Sequence, residues 1–263
     1  MSILEIPYWV PHGATSIAAC LTLPSDATRL VALLQVGGGV PRTHRNRAWV
    51  HAARQLGDRG VATLRMDYPG TGDSTGEAAM SLERPPADAV IAVIEHARCV
   101  TGIDRVGVAG QCLGVRTAIE AAAAIGACDR LALVMPVTLR PALRGSEGPR
   151  LAAVRKATAG RLRRLKRRVR QRWDHLDVRR GAELDPAIGA IASHADVLLL
   201  HGGTGASRAW VGERAADLTA ASFPHRVEMQ PLPTVGATGF RALDVQLATR
   251  AALTEWFAQP DGS

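Results

Sequence analysis

A cysteine set between two glycines is the residue of this chain best suited to covalent chemistry. The sequence GQCLG at 110–114 follows an apolar run at 106–109 and precedes an alanine-rich run at 118–122. This pattern indicates a strand, a sharp turn that the glycines permit, and a helix. A thiol at the start of a helix lies in a positive field, so the sequence predicts a lowered pKa for Cys112 and a reactive thiolate.

Attack by this thiol on a carbonyl would create a negative oxygen that needs hydrogen-bond donors. The backbone N–H of Leu113 directly follows the thiol, and a run of three glycines at 37–39 follows the apolar run at 30–36. Leu113 and the Gly38 region are therefore predicted to form an oxyanion hole, in which one donor contributes about 3 kcal/mol. The alternative is that the glycines make only a strand-to-helix turn.

Two histidines are candidates for a base. His44 and His201 are predicted to lie near the carboxyl ends of central strands, where either could assist Cys112. Each could instead only stabilise its own loop or strand end, which is the commoner role of a single histidine. The sequence leaves both interpretations open.

Alternating apolar runs and helical patterns predict the elements that position these residues. A hairpin over 4–10 and 16–23 is followed by a strand over 30–36, a helix over 47–56, a strand over 61–66, a helix over 85–97, strands over 106–109, 131–135, 195–200 and 226–232, and a helix over 242–257. This alternation predicts an α/β fold with a mostly parallel central sheet and helices on both faces. Active sites in such sheets lie at the carboxyl ends of the strands.

The sequence DYPGTGDS at 67–74, with the turn around Cys112 and the N-terminal hairpin, resembles the α/β-hydrolase superfamily. Its strand–G-x-nucleophile-x-G–helix layout is similar to the nucleophile elbow of that superfamily. The resemblance implies the α/β-hydrolase fold, with Cys112 as nucleophile. Asp67 and Asp73 are expected to tie their turn to backbone N–H groups. The sequence GGGVPRTHR at 37–45 looks like the exosortase-A-associated hydrolases, which also carry cysteine at the elbow.

The usual acid and histidine of the superfamily are missing from their expected places. The acid usually follows the strand matching 197–200, where this sequence continues HGGTGA, and no histidine occurs in the matching turn at 232–240. Thr204 and Thr238 occupy the two positions. The resemblance therefore implies the scaffold and the nucleophile, but not a standard triad.

A basic insertion interrupts the alternation of strands and helices. Apolar residues between 151 and 173 recur at steps of three and four, as in an amphipathic helix, and residues 150–172 include eleven basic residues and no acidic one. We therefore predict a hydrolase core over 1–137 and 191–263 and an Arg-rich helical lid over 138–190. The lid could bind an acidic acyl carrier protein, the phosphates of coenzyme A or an acidic lipid surface, or be only a solvated face. Without aromatic platforms or DNA-reading motifs, nucleic acid is not an expected partner.

Composition favours a cytoplasmic protein that needs no metal or cofactor. The sequence contains no run of 18 or more apolar residues and no signal-peptide pattern, so no transmembrane segment is expected. Its four cysteines fit neither a zinc pattern nor a disulfide framework.

Taken together, the residues predict a thioesterase or acyltransferase that forms an acyl-enzyme on Cys112. A thiol exchanges readily with a thioester, so the expected substrate is an acyl group on coenzyme A or a carrier protein. Two alternatives stay open. One is a decayed hydrolase that serves as a binding module, and the other is a cyclase or lyase that uses the same pocket.

Overall fold

An eight-stranded sheet forms the centre of the molecule. The computed structural model describes residues 2–35, 39–78, 85–135, 191, 194–202, 224–233 and 242–260. The strands are β1 (Ile3–His12), β2 (Thr15–Pro24), β3 (Arg29–Leu34), β4 (Val61–Met66), β5 (Arg105–Gln111), β6 (Cys128–Val134), β7 (Asp196–His201) and β8 (Val227–Pro231). Their order across the sheet is β1-β2-β4-β3-β5-β6-β7-β8, antiparallel at β1/β2 and β2/β4 and parallel elsewhere. The predicted mostly parallel sheet is confirmed.

Helices cover both faces of this sheet. The described helices are α1 (Ala48–Gly57), α2 (Ala87–Thr101), α3 (Gly114–Ala124) and α4 (Leu243–Ala258). One core cluster joins the sheet to α2 and α3, and a second joins it to α1 and α4. Along β3, Leu30 and Ala32 belong to the first cluster and Val31 and Leu33 to the second, as expected when successive side chains point to opposite faces.

The helix predicted over 85–97 begins and ends later in the structure. It starts at Ala87 and reaches Thr101, and the next residue, Gly102, has a left-handed φ of 71°. Glycine adopts this conformation without a steric penalty and commonly ends helices. The end of α2 therefore follows from a glycine signal that the apolar periodicity does not contain.

The predicted lid over 138–190 lies outside the described residues, as do Gly38, Thr204 and Thr238. The division of the chain into a core and a lid stays a prediction. Within the described part of the chain, no helix combines the length and apolar character that a bilayer crossing requires.

Helix α3 approaches the central strands very closely at two glycines. A Cβ atom added to Gly110 would lie 2.4 Å from the carbonyl oxygen of Gly114, and one added to Gly114 would lie 2.4 Å from the carbonyl oxygen of Gln35. Real side chains do not tolerate such contacts with backbone atoms. The two glycines therefore allow the helix to start directly against β3 and β5.

Replacing Gly114 by alanine should destabilise the protein, because the added methyl group must push α3 away from β3. We expect Gly114→Ala to lower the free energy of unfolding by about 1–3 kcal/mol in urea denaturation. Gly126→Ala is the matched control, since no atom lies within 4 Å of its added Cβ. Equal stability of the two variants would contradict this account of the packing.

Candidate active site at the carboxyl edge of the sheet

Cys112 lies in a strained turn between β5 and α3. Its φ is 57°, in the left-handed region that residues other than glycine rarely adopt. Its backbone N–H donates a hydrogen bond to the carbonyl of Val134, at an N–O distance of 2.9 Å, and α3 begins two residues later at Gly114. The predicted strand, turn and helix are thus present.

Backbone strain is concentrated at this edge of the sheet. The described residues other than glycine with positive φ are His44, Asn46, Arg47, Cys112 and Met135. The first three lie between the end of β3 and α1, and Met135 follows β6, the strand beside β5. Strained conformations persist where the surrounding structure enforces them, and they cluster at functional sites. The carboxyl edge is therefore the candidate site.

Burial, rather than the helix field, dominates the ionisation of Cys112. Burial raises the pKa of the thiol, and the hydrogen bond from the Leu113 backbone N–H and the charge of Arg45 lower it by less. The predicted lowering of the pKa is wrong, because the thiolate loses more hydration inside the protein than these two groups return. Cys112 is therefore mainly a protonated thiol at neutral pH.

His44 contacts the elbow strand with both ring nitrogens engaged. Its Nε2 lies 3.0 Å from Oε1 of Gln111, and its Nδ1 accepts a hydrogen bond from the backbone N–H of Arg45 at 2.8 Å. These partners fix the neutral tautomer with the proton on Nε2, and burial lowers the pKa of the imidazole. In this arrangement His44 holds its loop against the residue that precedes Cys112.

His201 lies at the same edge but farther from the thiol. The sheet register places Gln111, Val134 and Leu200 in one row, so Cys112 and His201 follow that row on strands separated by β6. Two strand spacings amount to about 10 Å. Among the described residues, no imidazole forms a hydrogen bond with the Cys112 sulfur.

Gln35 is a site residue that sequence reasoning missed. It follows β3, its side chain is fully buried, and neither its amide nitrogen nor its amide oxygen has a hydrogen-bond partner among the described residues. Because Leu34 pairs with Gly110, the residues that follow them, Gln35 and Gln111, lie beside each other. A buried amide without partners is costly, which makes this position a candidate for a role in the site. The signal in the sequence was a polar residue at the end of an apolar strand, just before the glycine run.

Arg45 is the second residue that was missed. Its charge lowers the pKa of Cys112 and contributes to the low pKa of His44. It therefore provides a cation beside the thiol. Leu113, the predicted oxyanion donor, is also at the elbow, whereas its predicted partner Gly38 lies outside the described residues.

The buried carboxylate of Asp67 organises the loops beside the site. It accepts hydrogen bonds from the backbone N–H of Arg42 at 2.5 Å and of Asp73 at 3.0 Å, and it pairs with the Arg42 guanidinium. The predicted structural role of Asp67 is confirmed. Asp73 contributes differently, because its carboxylate binds the Arg42 guanidinium at 2.8 Å rather than a backbone N–H.

Solved structures with similar architecture have the same overall path of the chain. A dienelactone hydrolase from Anabaena variabilis is 17% identical with a TM-score of 0.60, and the match covers 97% of both chains. A proline iminopeptidase from Mycobacterium smegmatis is 18% identical with a TM-score of 0.61, over 96% of this chain and 97% of that one. A Pyrococcus furiosus esterase is 14% identical with a TM-score of 0.67, over 97% and 90%.

The chain has the α/β-hydrolase fold. No family model matches the sequence, and no curated protein matches it either. At these identities the likeness establishes the fold alone, so the chemistry rests on the residues of the site.

Removing the charge of Arg45 should make Cys112 less reactive. Arg45→Gln raises the pKa of the thiol further, because a cation that favours the thiolate is lost, and alkylation by iodoacetamide at pH 7.5 should slow about twofold. Peptide mass spectrometry separates labelling of Cys112 from that of the exposed Cys99. Arg59→Gln, which changes an exposed arginine in the turn after α1, is the control. An unchanged rate in Arg45→Gln would show that Arg45 does not influence the thiol.

Asp67→Asn should destabilise the fold far more than Asp73→Asn. The first change removes a fully buried carboxylate that pairs with the partly exposed Arg42 guanidinium and should cost about 3 kcal/mol in denaturant unfolding. The Asp73 side chain is 62% exposed, so its loss should cost less than about 1 kcal/mol. Similar costs for the two variants would contradict the assigned role of Asp67.

Proposed function

We propose that this protein is a thiol-dependent enzyme that acts on acyl thioesters through a covalent acyl-enzyme on Cys112. The observation that carries the proposal is the left-handed turn, which holds a nucleophilic side chain at the carboxyl edge of a parallel sheet. Structural neighbours named esterase, hydrolase and iminopeptidase support acyl-transfer chemistry at this edge. The reaction is then a thioesterase or an acyltransferase reaction.

The proposed reaction has two steps. The Cys112 sulfur attacks the thioester carbonyl carbon, the bond to the substrate sulfur breaks, and the departing thiol takes up the proton that Cys112 loses. Water or another acceptor then attacks the acyl-enzyme, transfers its proton to the Cys112 sulfur and restores the thiol. The N–H of Leu113, with the Gly38 region, stabilises the oxyanion of each step.

The properties of Cys112 favour a thioester over an amide or an ordinary ester. A thiolate with a raised pKa is rarer at neutral pH but intrinsically more nucleophilic. Since the leaving group is itself a thiol, it departs without the strong general acid that an amide nitrogen needs. His44 or His201 assists as base only after a rearrangement, because neither binds the sulfur in the described arrangement.

Gln35 supplies polar contacts for the substrate in this proposal. Its buried amide has a donor and an acceptor without partners among the described residues, next to the elbow strand. Its side chain is fully enclosed in the described arrangement, so a carbonyl or amide of the acyl chain pairs with it only after the surrounding loops rearrange. Such pairing would remove the cost of burying the amide alone and would help to orient the substrate.

A second candidate function is a binding module without catalysis. The raised pKa of Cys112 and the lack of a described imidazole bonded to its sulfur favour an inert thiol. In that case the fold keeps a ligand pocket but forms no acyl-enzyme. Reactivity of the thiol distinguishes the two functions.

Intact-protein mass after incubation with a panel of acyl thioesters tests the proposal. We expect an added acyl mass on the parent and on Cys99→Ala, but not on Cys112→Ala. Cys99→Ala is the matched control because Cys99 is free and exposed. An equal adduct on Cys112→Ala would contradict the role of Cys112. No adduct, with a Cys112 thiol that also resists iodoacetamide, would favour the binding module.

A further inference from the structure

A cavity of about 430 Å³ opens between the starts of α1 and α4. Both helices begin where the chain leaves the carboxyl edge of the sheet, the edge at which Cys112 lies. The volume is within the usual range of small-molecule sites. The described residues that line it are Asn46, Ala48, His51, Leu243, Gln246 and Arg250.

The charge around this cavity is positive and not neutralised by described residues. Arg250 forms no hydrogen bond or ion pair with any described residue, and its Nε is buried without a partner there. No acidic side chain is among the described lining residues. Nearby Arg54, by contrast, is bound by Glu5 at 2.8 Å. Arg250 is therefore a cation that an anionic ligand would stabilise.

Two neutral hydrogen-bonding groups accompany Arg250 at the cavity wall. Neither the Asn46 amide nor the His51 imidazole has a partner among the described residues. Burial and the charges of Arg250, Arg47 and Arg54 lower the pKa of His51, so His51 is neutral at pH 7 and can donate one hydrogen bond. Three donors thus surround one space.

The cavity lies close to the proposed nucleophile. Asn46 follows His44 by two residues, a separation of about 7 Å at most, and His44 bonds the residue that precedes Cys112. A ligand with an anionic group in the cavity can therefore extend along the edge toward the thiol.

We propose that this cavity binds the phosphate of a pantetheine-type thioester carrier, the group that coenzyme A and acyl carrier proteins share. Arginine binds phosphate through paired N–H donors, and Asn46 and His51 supply the remaining hydrogen bonds. The identity of this ligand rests on the proposed function, since it assumes a thioester substrate. Binding at the cavity is nevertheless separate from acylation of Cys112.

Calorimetric titration of the full chain with 4′-phosphopantetheine and with pantetheine tests this proposal. We expect the parent to bind the phosphorylated compound at least tenfold more tightly. Arg250→Gln should lose most of this difference, while Arg59→Gln, which removes an exposed arginine from the turn after α1, should keep it. Equal affinities for the two compounds, or an unchanged preference in Arg250→Gln, would overturn the assignment.

Two further titrations, with coenzyme A and with a phosphopantetheine-bearing carrier protein, distinguish the source of the phosphate. Tighter binding of coenzyme A than of a phosphopantetheine-bearing carrier protein identifies the coenzyme A thioester as the ligand, and the reverse order identifies the carrier protein.

Failure of this inference can also be distinguished from failure of the proposed function. If Cys112 is acylated equally by thioesters with and without the phosphate, the function stands and the cavity assignment fails. Phosphate-dependent binding without acylation would support the cavity assignment and contradict the proposed function.

Discussion

The close approach of α3 to the central strands is the constraint on which the site depends. With no side chain at Gly110 or Gly114, the helix starts within van der Waals distance of β3 and β5. Only Cys112 and Leu113 lie between the end of β5 and the start of α3, and Cys112 takes the strained left-handed conformation in this short turn. This turn keeps the thiol at the carboxyl edge, where His44 and Met135 also have positive φ angles.

Opposing effects determine the chemistry of that thiol. Burial disfavours its charged form, while the Leu113 N–H and the Arg45 cation favour it. The balance leaves a thiol that ionises with difficulty but is strongly nucleophilic once ionised. Such a thiol suits acyl transfer from a thioester. In that reaction the acyl group moves from the substrate sulfur to the Cys112 sulfur, and the proton moves in the opposite direction. The thiol suits amide cleavage poorly, because that reaction needs a well-placed acid.

The sheet and its helices were largely predictable because their signals are local. The strand predicted over 61–66 has those bounds in β4 (Val61–Met66), since a short, mostly apolar run is typical of a buried strand. The turn at Cys112 was predictable for the same reason, from glycines within five residues. Even the end of α2 has a local signal in Gly102.

The contacts within the site were not predictable in this way. The bond between His44 and Gln111 joins residues 67 positions apart, and the burial of Gln35 depends on strands and helices that meet only in the fold. The pKa of Cys112 was mispredicted because a helix start is visible in a sequence, whereas the depth of burial is not. Hydrogen bonds, burial and pKa shifts that depend on residues far apart in the sequence can be derived only from the structure.

Rapid-quench kinetics with an acyl thioester would test the central claim, that Cys112 is a covalent nucleophile, most directly. If acylation of Cys112 is faster than the second step, the free thiol product should appear in a burst of about one equivalent per protein, followed by slower turnover. The burst should be absent in Cys112→Ala. A Cys112→Ala variant that releases the thiol product with the same time course as the parent would contradict the account.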